Sequence, residues 1–353
     1  MLTKRYHVIG VMSGTSLDGI DFCEVTFNYT NQWEYQIGKC HTYAYAEEWK
    51  TKLKKALLFS ERELEILNQD YTKLLAEYCN RFIKEYQIQQ IDTLCSHGHT
   101  ILHQPESGFT LQIGNLPELA TLTNQKIVCD FRVQDVKLGG QGAPLVPIGD
   151  VLLFNEYTYC LNLGGFANIS HQQNNQRIAY DLCAVNVVLN HYAQLLEMDY
   201  DNKGTSAKGG KLNVDLLNEL DNIKFYQEAP PKSLGMEWVN RIIFPILNKY
   251  KIPEIDILHT YCIHIAKVIA LATHNDSCEK ILITGGGAYH DFLISKIEKH
   301  TNTKIHIPNS KLIEFKEALI FAFLGVLKLE NQINVLSSVT GASQDHSSGV
   351  IFK

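Results

Sequence analysis

Twice in this chain a short apolar strand runs into a glycine turn and returns as a second strand, and that repetition limits the folds open to it. Tyr6-His7-Val8-Ile9 enters a stretch from Gly10 to Gly19 rich in Gly, Ser, Thr and Asp, and Ile20 to Phe27 resumes a strand pattern. Tyr159-Cys160-Leu161-Asn162-Leu163 enters Gly164-Gly165-Phe166-Ala167-Asn168, and Ile169-Ser170-His171 returns. Arg177 to Leu182 reads as a third strand of the second set. A helix follows with apolar Val187, Val188, Leu189, Tyr192 and Leu195. The echo is one of pattern rather than of letters. At 353 residues the chain exceeds what one core ordinarily holds, so two similar domains are expected, with the boundary near Pro144–Pro147.

Between the two turns the texture is helical from Glu47 to Gln89, where Leu64, Leu67, Tyr71, Leu74, Tyr78 and Phe82 form one apolar stripe. Short apolar runs then end in polar residues: Thr93-Leu94-Cys95 before Ser96-His97-Gly98, and Ile127-Val128-Cys129 before Asp130. Strands alternating with helices indicate α/β architecture, in which ligands gather at strand ends.

Composition excludes several classes. Net charge is −6, and the one basic cluster, Lys50, Lys52, Lys54 and Lys55, sits at helical spacing and reads as a solvated face. Nucleic-acid and membrane partners are disfavoured, and no apolar run is expected to reach transmembrane length. The nine cysteines are scattered, odd in number and without a C-x-x-C pair, which fits free thiols in a reducing cytoplasm. The polar start, Met1 to Tyr6, gives no sign of a signal peptide.

The chemistry concentrates in glycine turns and a few carboxylates. Gly14-Thr15-Ser16 offers backbone N–H groups and two hydroxyls, and Gly164-Gly165 lets a ligand approach backbone with no Cβ in the way. Either alone reads as well as an ordinary hairpin turn, and neither is a P-loop, since no G-K-[ST] follows. A third cluster, Gly285-Gly286-Gly287-Ala288, joins the strand Lys280–Thr284 to a helix from His290 to Ile297. Three such turns in this order resemble the actin/sugar kinase/heat-shock ATPase superfamily, in which two phosphate hairpins and an adenosine loop surround ATP.

Asp181, at the end of Ala179-Tyr180-Asp181, suits either a general base or the N-cap of the next helix. Asp130-Phe131-Arg132-Val133-Gln134-Asp135 carries two carboxylates and a guanidinium, which suit substrate contacts or an internal ion pair equally. His97 and His99 have no third ligand at metal spacing. His97 reads as a structural or substrate-orienting hydrogen bonder.

Longer blocks resemble the anhydro-N-acetylmuramic acid kinase family. They are Gly10-Val11-Met12-Ser13-Gly14-Thr15-Ser16-Leu17-Asp18-Gly19-Ile20-Asp21, Ser96-His97-Gly98, Gln112-Ile113-Gly114-Asn115 and Asp130-Phe131-Arg132. Asp135, Gly139 to Pro147, Asn162 to Asn168, Pro231-Lys232-Ser233, Gly285 to Ala288, Glu317-Ala318 and Ser338 to Ala342 complete the series. The resemblance implies two duplicated ribonuclease H-like (actin-like ATPase) domains with an interdomain ATP cleft, covering 1–145 plus 336–353 and 146–335. It implies ATP-dependent phosphorylation of 1,6-anhydro-N-acetylmuramic acid at O6 with hydrolytic ring opening, as in peptidoglycan recycling, with Mg²⁺ on the phosphates.

Carried over by motif, Asp181 is the base. Gly14, Thr15, Ser16, Leu17, Asp18, Gly19, Ile20, Asp21, Gly164 and Gly165 embrace the phosphates, and Gly285, Gly286 and Gly287 the adenosine. Thr100, Arg132, Asp135 and Glu317 contact the sugar. No protein-only metal site is implied, and a homodimer is a family expectation. One stretch departs from the pattern. Where the family has Asp-x-Gly-Pro-Gly-Asn, this chain has Asp181-Leu182-Cys183-Ala184-Val185-Asn186. A catalytically weak sugar or nucleotide sensor on the same scaffold, or a kinase for another anhydro or hexose sugar, are the alternative readings.

Overall fold

The computed structural model describes residues 4–14, 17–273 and 279–353. The chain divides into two compact units, Met1–Leu153 with Phe315–Lys353, and Phe154–Glu314. The segments 146–153 and 315–335, expected in the second domain, therefore belong to the first unit. Close packing explains the change. A Cβ on Gly10 would lie 1.9 Å from the Ala318 carbonyl oxygen, and one on Gly325 would lie 2.1 Å from Cys95 Sγ. These two glycines let the helix Ser310–Leu329 lie directly on the first sheet.

The first sheet contains β1 (Lys4–Ser13), β2 (Gly19–Tyr29), β3 (Trp33–Ala44), β4 (Thr93–Gln104), β5 (Phe109–Ile113) and β6 (Ile127–Cys129). The strand Val350–Phe352 ends it, in the order terminal strand, β6, β4, β1, β2, β3, with β5 on β4. β1 pairs antiparallel with β2 and parallel with β4.

The second sheet runs β11 (Lys304–His306), β10 (Lys280–Thr284), β7 (Tyr159–Leu163), β8 (Phe166–Gln173), β9 (Gln176–Ala184). β7 pairs antiparallel with β8 and parallel with β10. The order β6-β4-β1-β2-β3 thus repeats as β11-β10-β7-β8-β9, with matching strand directions, and the sequence echo is a structural duplication.

Alternation sets the two faces of the first sheet. Ile20 and Phe22 pack with the helix Glu61–Glu85, whose Phe82 ring lies 5.1 Å from Phe22. That helix starts in a Ser60/Glu63 capping box and buries Leu67, Tyr71 and Phe82, while Leu64, Leu74 and Tyr78 pack partly buried. On the other face Phe27 meets Phe323 at 5.1 Å.

In the second unit the helix Glu254–Ala272 is, by length and composition, apolar enough to cross a membrane, contrary to the sequence expectation. Its Leu258, Tyr261, Ile265 and Ile269 belong to the second unit's core, so core packing accounts for its apolarity. Cys79, Cys95, Cys129, Cys183 and Cys262 are buried free thiols.

Candidate active site

In the second unit the glycine turns meet at the carboxyl ends of neighbouring parallel strands, since Thr284 of β10 pairs with Asn162 of β7. Gly285 adopts φ of 81°, and a Cβ there would lie 2.5 Å from Asn162 Oδ1. A Cβ on Gly287 would lie 2.7 Å from Leu163 Cβ. Only glycine tolerates such approach, so these letters reflect backbone packing.

The helix Asn186–Leu195 is tied to the Gly164-Gly165 turn. Val185 N–H donates to the Gly165 carbonyl at 2.8 Å, Asn186 N–H to that of Gly164 at 3.3 Å, and Asn186 Nδ2 to that of Leu163 at 3.1 Å. Gly164, Gly165, Gly285, Gly286 and Gly287 are therefore neighbours around Asn162 and Leu163.

The first turn is partly described: Thr15 and Ser16 lie outside the described residues. Leu17 N–H donates to the Gly14 carbonyl at 3.4 Å, and Asp18 is exposed. Asp21 accepts from Thr42 Oγ1 at 2.6 Å. The Leu17 and Ile20 side chains are in the first core, because the pleat of β2 turns Ile20 inward with Phe22.

Beneath this turn Ser13 Oγ bonds His99 Nδ1 at 2.8 Å and Tyr45 Oη at 2.6 Å, and Tyr45 Oη meets Tyr71 Oη at 2.5 Å. Burial lowers the His99 pKa to about 4 and raises that of Tyr45 to about 12, so this chain of groups stays neutral.

Asp181 lies within β9, which runs on to Ala184, so it is not a helix cap; the N-cap position belongs to Val185. Its carboxylate accepts from the Leu234 N–H at 2.7 Å and from Asn168 Nδ2. Partial burial raises its pKa above the ordinary aspartate value, and those two donors oppose the rise. The divergent residues Leu182, Cys183, Ala184 and Val185 are all buried in the second core. Apolar side chains that fill a core take the place of the family's glycines and proline.

In the first unit Arg132 Nε donates to His97 Nε2 at 2.7 Å, and Nη1 to the Gly142 carbonyl at 2.6 Å. His97 Nε2 must then accept, which assigns the proton to Nδ1, 2.9 Å from the Gly98 carbonyl. Burial and the adjacent Arg132 charge hold the His97 pKa well below its usual value. Arg132 itself is lowered to about 10 by desolvation, with Glu317 and Asp135 opposing. Burial among protein atoms raises Glu317, with Arg132 opposing. Arg132 and Glu317 nonetheless keep solvent-accessible surface. Thr100 is partly exposed on β4 and accepts from Gln112 Nε2 at 3.4 Å.

Asp135 differs from the expected sugar contact. It is 0% exposed, and its oxygens accept from the Gly142 N–H at 2.6 Å and from Thr340 Oγ1 at 2.7 Å. The Gly140 backbone leaves no room for a Cβ beside it. The carboxylate braces the Gly139–Gly142 loop instead of facing outward.

Sequence reasoning did not single out Asn168, Asn186 or Leu234 as site residues. Asn168 and Asn186 sat inside recognisable blocks. Leu234 acts through a backbone N–H that no letter reports.

A family model described as anhydro-N-acetylmuramic acid kinase matches residues 6–353. The chain belongs to the anhydro-N-acetylmuramic acid kinase family. It is 34% identical to the anhydro-N-acetylmuramic acid kinase of Francisella tularensis subsp. novicida (strain U112), over 97% of each chain. To that of Mannheimia succiniciproducens it is 33% identical, over 99% of this chain and 100% of the relative. To that of Clostridioides difficile (strain 630) it is 32% identical, over 95% of each. A ROK family glucokinase from Streptomyces griseus in complex with glucose and AMPPNP aligns over 91% of this chain and 99% of its own, at 10% identity and a TM-score of 0.42. That likeness adds nothing to the assignment.

Proposed function

We propose that this chain converts 1,6-anhydro-N-acetylmuramic acid, ATP and water into N-acetylmuramic acid 6-phosphate and ADP, serving cytoplasmic peptidoglycan recycling. Full-length family membership supports the reaction, and the setting of Asp181 carries the residue assignment. That carboxylate is partly exposed, held by two donors and raised in pKa by burial, as suits a base working near neutral pH. Asp181 takes a proton from the water that attacks C1. The C1–O6 bond of the anhydro bridge breaks, O6 attacks the γ-phosphorus, and the bond to the β-phosphate oxygen breaks to release ADP. Gly164 and Gly165, with Gly14 to Asp21, would face the phosphates through backbone N–H groups, and Gly285 to Gly287 the adenosine.

Mg²⁺ accompanying ATP would neutralise phosphate charge. It needs only one or two protein carboxylates besides phosphates and water. Asp18 and Asp21 beside the first turn fit that demand, and no group of three or more candidate ligands occurs among the described residues. Arg132, Glu317 and Thr100 would contact the sugar, with His97 and Asp135 holding Arg132 and its loop.

Incubation of the purified protein with the anhydro sugar, ATP and Mg²⁺ in ¹⁸O water should yield ADP and a 6-phosphosugar with one heavy oxygen at C1. Binding of both ligands without product would favour the sensor, and turnover of a different sugar alone would move the acceptor.

A further inference from the structure

We infer that Asn168 and the strap Pro231–Leu234 are positioning elements for Asp181, which together hold its carboxylate in one orientation toward the water. This rests on the assignment of Asp181 as base. Asn168 of β8 stands directly opposite Asp181 of β9, and the register shifts there: Ala167 pairs with Cys183, so Leu182 is an extra residue. A bulge of this kind re-aims a neighbouring side chain. Here it leaves Asp181 and Asn168 on one face of the pair while Leu182 turns into the core.

The strap secures the other side. Lys232 accepts the Asp181 N–H through its carbonyl at 3.1 Å, and the Leu234 N–H donates to Oδ2 at 2.7 Å. The strap is itself anchored, because Lys232 Nζ donates to the Phe225 carbonyl at 3.0 Å and lies 4.7 Å from the Phe225 ring. One carboxylate oxygen is thus assigned to a side-chain amide and the other to a backbone amide. Rotation about the Asp181 side chain breaks one bond or both. This gives the Pro231-Lys232-Ser233 block a task that the glycine turns and sugar contacts do not explain.

The titratable side chains nearby do not duplicate this role. Cys183 is fully buried, and its thiol is pushed upward by burial and by Asp181. The Lys232 ammonium is committed to Phe225. Tyr180 and His171 meet edge to face at 6.0 Å.

The test compares Asn168→Ala, Asn168→Asp and Asp181→Asn in the full chain, reading kcat, KM for both substrates, the pH profile and Tm. Asn168→Ala should lower kcat roughly tenfold to a hundredfold with KM for ATP unchanged, since a small misplacement of a reacting group has that effect. It should also move the acid limb of kcat upward by about half a unit to one unit, because a donor to the charged form is lost. Asn168→Asp, which places a second carboxylate against the first, should move the limb further in the same direction. Unchanged acid limbs in both Asn168 variants, with Asp181→Asn inactive, would overturn the positioning role and leave the base in place. An active Asp181→Asn would instead remove the base itself. A Tm loss with an unmoved limb marks Asn168 as structural only and also overturns the proposal.

Discussion

The two units share a strand order but treat their polar residues differently. In the first, Arg132, His97 and Asp135 are bonded to one another's loops, and Asp135 is wholly enclosed. In the second, Asp181 is partly open and rests on two donors above an apolar core. In the first network the buried Asp135 carboxylate and His97 ring are both hydrogen-bonded, as buried polar groups need to be. The same duplicated frame thus encloses a bonded polar network in one unit and leaves a carboxylate partly open in the other.

The sharpest way to break this contrast is Asp181→Asn. Turnover should fall by roughly 10³-fold or more while calorimetry shows ATP still binding. In the first unit, Asp135→Ala should act through folding. It leaves the Gly142 N–H and the Thr340 hydroxyl without their acceptor beside a charged Arg132. The expected loss is about 3–5 kcal/mol, read as a lower Tm in thermal unfolding. A rate defect at full stability would instead place Asp135 at the substrate.

The pH dependence of stability separates the units more finely. The folded pKa of His99, about 4, lies below its unfolded value, so its contribution to stability is present above about pH 6.5 and lost as pH falls through 4. The loss is on the order of 2–3 kcal/mol across that window. His99→Asn should flatten it in urea titrations performed at several pH values. The smallest expected effect is that of Asn186→Ala. Removing the bond to the Leu163 carbonyl should weaken ATP binding about five- to tenfold with little change in Tm.

Several of these residues were legible in advance because a letter encoded a backbone demand. Gly285 is legible because no Cβ fits at positive φ against Asn162. The helix Glu61–Glu85 is legible from the spacing of Leu67, Tyr71 and Phe82. Other readings shifted with strand length. Ser96-His97-Gly98, read as polar residues after a strand, lie inside β4, which continues to Gln104. Asp181 likewise sits within β9 and not at its end. Polar residues inside a strand and just past it look alike until the pairing partner is known.

By itself the sequence determined the duplication, the glycine turns, the apolar stripe and the family, because each depends on local spacing or on a residue no other can replace. The tertiary structure alone decided that Asp135 faces inward, that the helix Ser310–Leu329 belongs with the first sheet from Phe315 onward, and that Leu234 reaches Asp181. Those depend on backbone groups and on partners 53 and 205 positions apart in the chain. A backbone N–H is the same in every residue but proline, so its partner is set by folding and leaves no mark in the letters.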